Sequence, residues 1–203
     1  MNISSDKVFL HCWAQEYFLE RNGIEDQLGE VLVKLWKQEH FEKVYLLNGP
    51  WGFTNLRVGA ICLNLLNALV GNQISFYSFS KIDLFKFEYL EQKNLPQYGI
   101  IYIGQRRNIR LWDFDEDKKI CQTNFEGLEW VLQQKKIRDY QYFCDLVYDE
   151  AYYPRDLQEK AISAENYFKF MQEYIQAKDL SSDYEVHANY MMDPIITPSK
   201  KHF

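Results

Sequence analysis

Cysteine is sparse in this chain of 203 residues, and its four copies, Cys12, Cys62, Cys121 and Cys144, stand far apart with no C-x-x-C pair. That spacing excludes a zinc ribbon or a dithiol redox motif and leaves the thiols as small core residues of a reducing compartment. His11, His40, His187 and His202 are equally scattered, with no H-E-x-x-H, so no metal ligand is assigned. Positive charge is short as well: 23 Lys and Arg against 29 Asp and Glu give a net charge of −6. Broad binding to a phosphate backbone rests on clustered cations, so any contact with RNA has to run through a partner. Lys135-Lys136 with Arg138, Arg106-Arg107 with Arg110, and Lys200-Lys201 are short basic pieces that read as solvated or snorkelling surface. Long apolar runs are missing too. The best of them, residues 56–70, is interrupted by Arg57, Asn64 and Asn67, and no charged segment leads into an apolar one near the start. These absences predict a cytoplasmic protein with no membrane partner.

Aromatic residues, by contrast, are plentiful: 15 Tyr, 14 Phe and 5 Trp. Such residues carry much of the energy of cores and interfaces, and the length suffices for one sizeable core or two small lobes. Strands are expected over 7–13 and 16–20, with a break at Asn22-Gly23. From Glu25 to Glu39, Leu28, Val31, Leu32, Leu35 and Trp36 recur at three and four, which predicts an amphipathic helix with Glu25-Asp26 at its positive end. A strand over 43–48, a glycine turn and a helix over 54–70 closed by Gly71-Asn72 follow, then a strand over 73–80 and a short helix or irregular segment over 82–91. Asn94-Leu95-Pro96 marks a boundary, because proline stops regular structure. Beyond it the pattern predicts strands over 99–104, 108–114 and 118–122, a helix over 125–134, a strand over 140–148 and a helix over 163–178 capped by Ser163. Strands mixed with helices in both halves predict a two-lobed α/β protein: residues 1–95, residues 96–185, and a tail, 186–203, returning toward the first lobe.

The junction of strand and helix at Gly49-Pro50-Trp51-Gly52-Phe53-Thr54-Asn55-Leu56-Arg57-Val58-Gly59 is the most specific feature. Such a junction either presents backbone N–H groups to an anion or lets a helix pack unusually close to its neighbour. It has neither G-x-x-x-x-G-K-[ST] nor G-x-G-x-x-G, and Trp51 places bulk where a phosphate cradle needs bare backbone. Thr54 is a candidate helix cap and Arg57 a candidate anion ligand, but a structural turn is the reading favoured by the residues. Asp113, Asp115, Glu116 and Asp117 are read as solvated turn residues rather than a Mg²⁺ or acid–base site. Asp145, Asp149 and Glu150 follow a strand without specifying a chemistry, and no G-x-S-x-G elbow or other nucleophile constellation exists. No catalytic residue is assigned. On the helix after the turn, Leu56, Leu63, Leu66 and Val70 make one face, whereas Arg57, Ala60, Asn64, Asn67, Ala68 and Gly71 make another of small or polar groups that offers a second helix room to approach.

The turn resembles the G-P-G-S-F-T-G-L-R-x-G signature of the TsaB (YeaZ) family, accessory subunits in bacterial synthesis of threonylcarbamoyladenosine at position 37 of tRNA. Gly49, Pro50, Phe53, Thr54, Leu56, Arg57 and Gly59 match; Trp51, Gly52 and Asn55 depart from it. Asp193-Pro194-Ile195-Ile196-Thr197-Pro198 is similar to the family's proline-containing tail. The resemblance implies an actin-like/hexokinase-like (ASKHA) fold of two lobes, catalytically degenerate. The family's opening strand ending in D-T-S is absent, since Ser4-Ser5-Asp6 precedes rather than follows an expected strand, so an abbreviated N-terminal sheet is expected.

The resemblance further implies a non-catalytic scaffold for a TsaD-type threonylcarbamoyltransferase, joined by a TsaE-like ATPase, with tRNA touched only indirectly. No intrinsic cofactor is implied, ATP or ADP belonging at the interface with the catalytic partner. The docking residues would be Leu28, Leu32, Leu35 and Trp36 of the first helix and Arg57, Ala60, Ile61, Asn64, Asn67 and Ala68 of the second, a surface that also supports a homodimer. Two alternatives stand beside this reading: an independent ATPase or phosphotransferase of the same fold using Thr54, Arg57 and an acidic residue, and a homodimeric binding protein of unrelated role.

Overall fold

The computed structural model describes residues 1–4, 7–13, 15–20, 23–50, 53–91, 96–102, 109–123, 125–143 and 164–190. Two short strands, β1 (Val8–Cys12) and β2 (Gln15–Leu19), form an antiparallel hairpin, and β3 (Lys43–Leu47) runs parallel to β4 (Ser75–Phe79). The two pairs are joined through the opening residues: Asn2 bridges Phe9 in an antiparallel sense and Leu47 in a parallel one. Ile3 N–H donates to the Leu47 carbonyl, and Leu47 N–H donates to that of Met1. Met1–Ile3 therefore supplies a minimal bridging strand between the two pairs. Ser4 follows it and precedes β1, the position the sequence reading gives it.

Helix α1 (Ile24–Glu39) precedes β3, and α2 (Phe53–Leu69) makes the crossover from β3 to β4. Parallel neighbours need such a crossover. Both helices lie on one face of the sheet, where Leu28, Leu32 and Leu35 of α1 meet Leu56, Leu63 and Leu66 of α2 over Ile3, Leu46 and Phe76. Gly29 lies where α1 passes α2: a Cβ placed there would sit 3.9 Å from Cys62 Sγ. Successive strand residues point to opposite faces, so Leu47 and Phe79 leave this core for a second one. There they pack with Ile82 and Phe85 of α3 (Lys81–Glu91) and Met171 and Tyr174 of α5 (Ala164–Ala177). Ser80 and Asp83 cap α3 reciprocally, with Asp83 Oδ2 accepting from Ser80 N–H at 2.7 Å and Ser80 Oγ accepting from Asp83 N–H at 3.1 Å.

The second sheet has the order β7-β6-β5-β8, from β5 (Tyr98–Tyr102), β6 (Ile109–Asp113), β7 (Lys118–Thr123) and β8 (Tyr140–Phe143). Ile101 and Phe114 face α3 and α5, whereas Ile100, Ile109 and Leu111 pack on the other side with Leu128 of α4 (Phe125–Lys135). The result is a mixed α/β protein of alternating helix and sheet layers. Arg110 corrects one expectation from the sequence. It is 2% exposed and has a partner inside the protein, so it is not part of a surface patch.

Candidate functional site

At the signature turn, glycine is required twice for different reasons. Gly49 has φ +83°, and a Cβ there would stand 1.9 Å from the carbonyl oxygen of Asn189. Gly59 lets α2 settle on the central strand, since a Cβ would come within 2.8 Å of Ile3 Cγ2. The Gly49–Pro50 peptide is cis, and both residues are buried. Gly49 N–H donates to Ser4 Oγ, whose own hydroxyl donates to the Leu47 carbonyl at 3.0 Å. One turn amide is thus already engaged and its open side is covered by chain. Thr54 is exposed inside the first turn of α2 rather than preceding it as a cap. Arg57 donates from Nε to the Tyr190 hydroxyl at 3.2 Å, a hydrogen bond that raises its already high pKa. Among the described residues of the turn, Gly49 N–H is engaged by Ser4 and Arg57 Nε by Tyr190, whereas Thr54 is exposed.

What covers Gly49 is residues 183–190, an extended segment lying along one flank of α2. Asn67 Nδ2 donates to the Tyr184 carbonyl at 2.9 Å, and Asn64 exchanges two bonds with Val186, at 3.0 and 2.8 Å. Asn48 continues the row: its Nδ2 donates to the His187 carbonyl at 2.8 Å and its Oδ1 accepts from Asn189 N–H at 3.1 Å. Asp183 and Phe76 exchange backbone bonds at the outer edge of β4. Val186 is buried in the first core, and the Phe53 and Tyr190 rings lie 5.5 Å apart. Buried amides need partners, and here the chain's own backbone supplies them. Residues 191–203, including the proline-containing segment, lie outside the described residues.

The ten residues named as a docking face are therefore divided. Leu28, Leu32 and Leu35 are buried in the first core, and Ala60 is buried beside them, so these side chains are not available to a partner in this structure. Trp36 is half-buried and its ring stands edge-on to His40 at 5.0 Å. Asn67, 1% exposed, and half-buried Asn64 hold the returning segment. Arg57, Ile61 and Ala68 remain exposed. Beside them the structure adds two residues that pattern reading missed: Leu65 is 60% exposed and Leu69 78%, with Ile61 at 53%. At 100° per residue, Ile61, Leu65 and Leu69 line up at spacing i, i+4, i+8 on the side away from the sheet. The signal available in sequence was that apolar residues occur all round this helix, more than one buried stripe requires.

Other candidate chemistry resolves into structure. Asp113 Oδ1 accepts from Asp115 N–H and Glu116 N–H, both at 3.0 Å, and Gln97 Nε2 donates to its Oδ2, also at 3.0 Å. The carboxylate thus shapes the turn between β6 and β7, but Asp113 is 4% exposed, which corrects its reading as a solvated turn residue. Cys12, Cys62 and Cys121 are unpaired and half-buried, and burial raises each thiol pKa, so none is an activated thiolate. Among the described residues no group of three or more His, Cys, Asp or Glu is placed to hold a metal ion, and no helix is long and apolar enough to cross a membrane. Cys144, Asp145, Asp149, Glu150, Ser163, His202 and the 94–95 part of the expected boundary lie outside the described residues.

No protein-family model matches the chain, and no curated protein matches it. Among solved structures, YeaZ from Pseudomonas aeruginosa is similar over 88% of this chain and 92% of its own, at 12% identity and a TM-score of 0.45. At that identity and score the likeness assigns neither a family nor an activity to this chain.

Proposed function

We propose that this chain is a non-catalytic accessory subunit of the TsaB type. It has the two-lobed actin-like architecture that the signature turn implies and docks onto a TsaD-type threonylcarbamoyltransferase to support threonylcarbamoyladenosine formation at position 37 of tRNA. The observation that carries the reading is the exposed row Ile61, Leu65 and Leu69 on the helix launched by the matching turn. Three large apolar side chains held on a rigid helix suit a groove or helix of a partner. Arg57 and Ala68 border the row, the first as a charge that orients the partner and the second as a point of close approach. In this reading a TsaE-like ATPase joins the pair, ATP or ADP belongs to the shared interface, and the tRNA is held by the catalytic partner.

Co-expression with the cognate catalytic subunit tests the proposal. The wild-type chain is expected to co-purify with it, and Leu65→Glu to lose it while melting at an unchanged temperature. Failure of the wild-type chain to form a complex, with or without nucleotide, would overturn the reading. A homodimer through the same row is the second reading, favoured by the self-complementary character of an apolar stripe; sedimentation of the isolated chain, with Leu65→Glu as control, separates the two.

A further inference from the structure

At the other end of β3 from the signature turn, a cavity of about 240 Å³ opens between β1, the start of β3, α1 and α5. Leu10, Leu35, Val44, Met171 and Ile175 line it, and Phe168 closes one side with its ring 4.5 Å from that of His11. Polar groups deep in the cavity are already committed: the Met1 amino group donates to the Tyr45 carbonyl at 2.8 Å, and Cys12 remains a neutral thiol. At its mouth are Lys43 and Gln172, both exposed, and neither side chain has a hydrogen bond or ion pair with any described residue. Glu39, which faces Cys12, accepts from Gln15 Nε2 at 3.3 Å. A wall of aliphatic and thioether groups leaves water few partners, while a few polar groups at one end of an apolar pocket are what fixes the orientation of a small ligand.

We propose that this cavity binds a small monoanion with an apolar body, a short acyl or aryl carboxylate, with its hydrocarbon among Leu10, Leu35, Met171 and Ile175 and its carboxylate at Lys43 and Gln172. Binding is non-covalent, and the site is separate from the docking row on α2.

Octanoate, with octanol as its uncharged counterpart, is titrated into the full chain by calorimetry while the methyl resonances of Met171 and Ile175 are followed. The expected result is one saturable site that shifts both methyls. Lys43→Gln should weaken octanoate about threefold, in keeping with an exposed ion pair, and leave octanol unchanged. Ile175→Trp, which fills the cavity, should abolish both, and Leu65→Glu on α2 should alter neither. Absence of saturable binding at millimolar octanoate would overturn the proposal. So would binding that leaves the Met171 and Ile175 methyls unmoved, a readout that stands even if the tryptophan variant does not fold.

Discussion

Helix α2 has two flanks that invert the usual rule for a surface helix. The flank bearing Asn64 and Asn67 is covered, by residues 183–190 of the same chain, whereas the side bearing Ile61, Leu65 and Leu69 is left open. The difference lies in what each set of side chains requires. A buried amide is tolerable only when both its donor and its acceptor are satisfied, and an extended backbone is the most economical source of both. An apolar side chain needs only to leave water, and any fitting surface will do. The covered flank is therefore specific to one segment of this chain, while the open side is the place where another molecule is accommodated.

The covered flank depends most on Gly49. Replacing it with alanine sets a methyl against the Asn189 main chain and asks a residue with a Cβ to hold φ +83°. A loss of about 3 kcal/mol is expected, read from urea melts, with the 183–190 amides losing hydrogen-exchange protection first. Asn67→Ala comes next. It leaves the buried Ile74 N–H and the partly buried Tyr184 carbonyl without their partner, which is worth about 2 kcal/mol; an unchanged urea midpoint would mean that the segment does not depend on this amide.

A smaller effect, away from both flanks, tests the second core. Burial, assisted by the charge of Asp83, pushes the Tyr174 hydroxyl up to about 12 from an ordinary value of 10.0. The unfolded chain then gives up this proton before the folded one does, so stability falls as pH rises from 10 toward 12. Tyr174→Phe should flatten that fall, as measured by urea midpoints across the window. The smallest effect on folding is expected at Leu65→Glu, within about 0.5 kcal/mol, although the same change is expected to abolish association. If it destabilises the fold instead, the open side is not open.

Much of the architecture was legible in the sequence because it rests on short-range periodicity. The three-and-four spacing from Leu28 to Trp36 predicts a helix over 25–39, and α1 spans Ile24–Glu39. Gly71-Asn72 was expected to close α2 in a left-handed conformation, and their φ values are +77° and +58°. The opening strand is not legible because Met1–Ile3 is too short for alternation to register, and its existence depends on Phe9 and Leu47. A tail over 186–203 returning toward the first lobe is expected from the sequence, but what holds residues 183–190 is not legible there: the segment has no period of its own and is held by Asn48, Asn64 and Asn67 from more than a hundred positions away. The site was divided by the same limit. Small or polar groups at Ala60, Asn64 and Asn67 read as room for a partner helix, yet sequence spacing cannot tell a foreign neighbour from a distant part of the same chain. Two asparagines a turn apart in the apolar second half of the helix were the available sign that a backbone would lie against them.

The row of asparagines also sets an order of events during synthesis. Asn48 and Asn189 are 141 positions apart and Asn67 and Tyr184 are 117. At about 5–20 residues per second, the ribosome delivers the covering segment on the order of ten seconds after α2 has emerged. Through that interval the helix shows water both its apolar row and its unsatisfied amides. The first half of the protein thus reaches its final form only when residues 183–190 arrive, and a nascent chain interrupted before residue 183 should be a client for chaperones rather than a smaller folded domain.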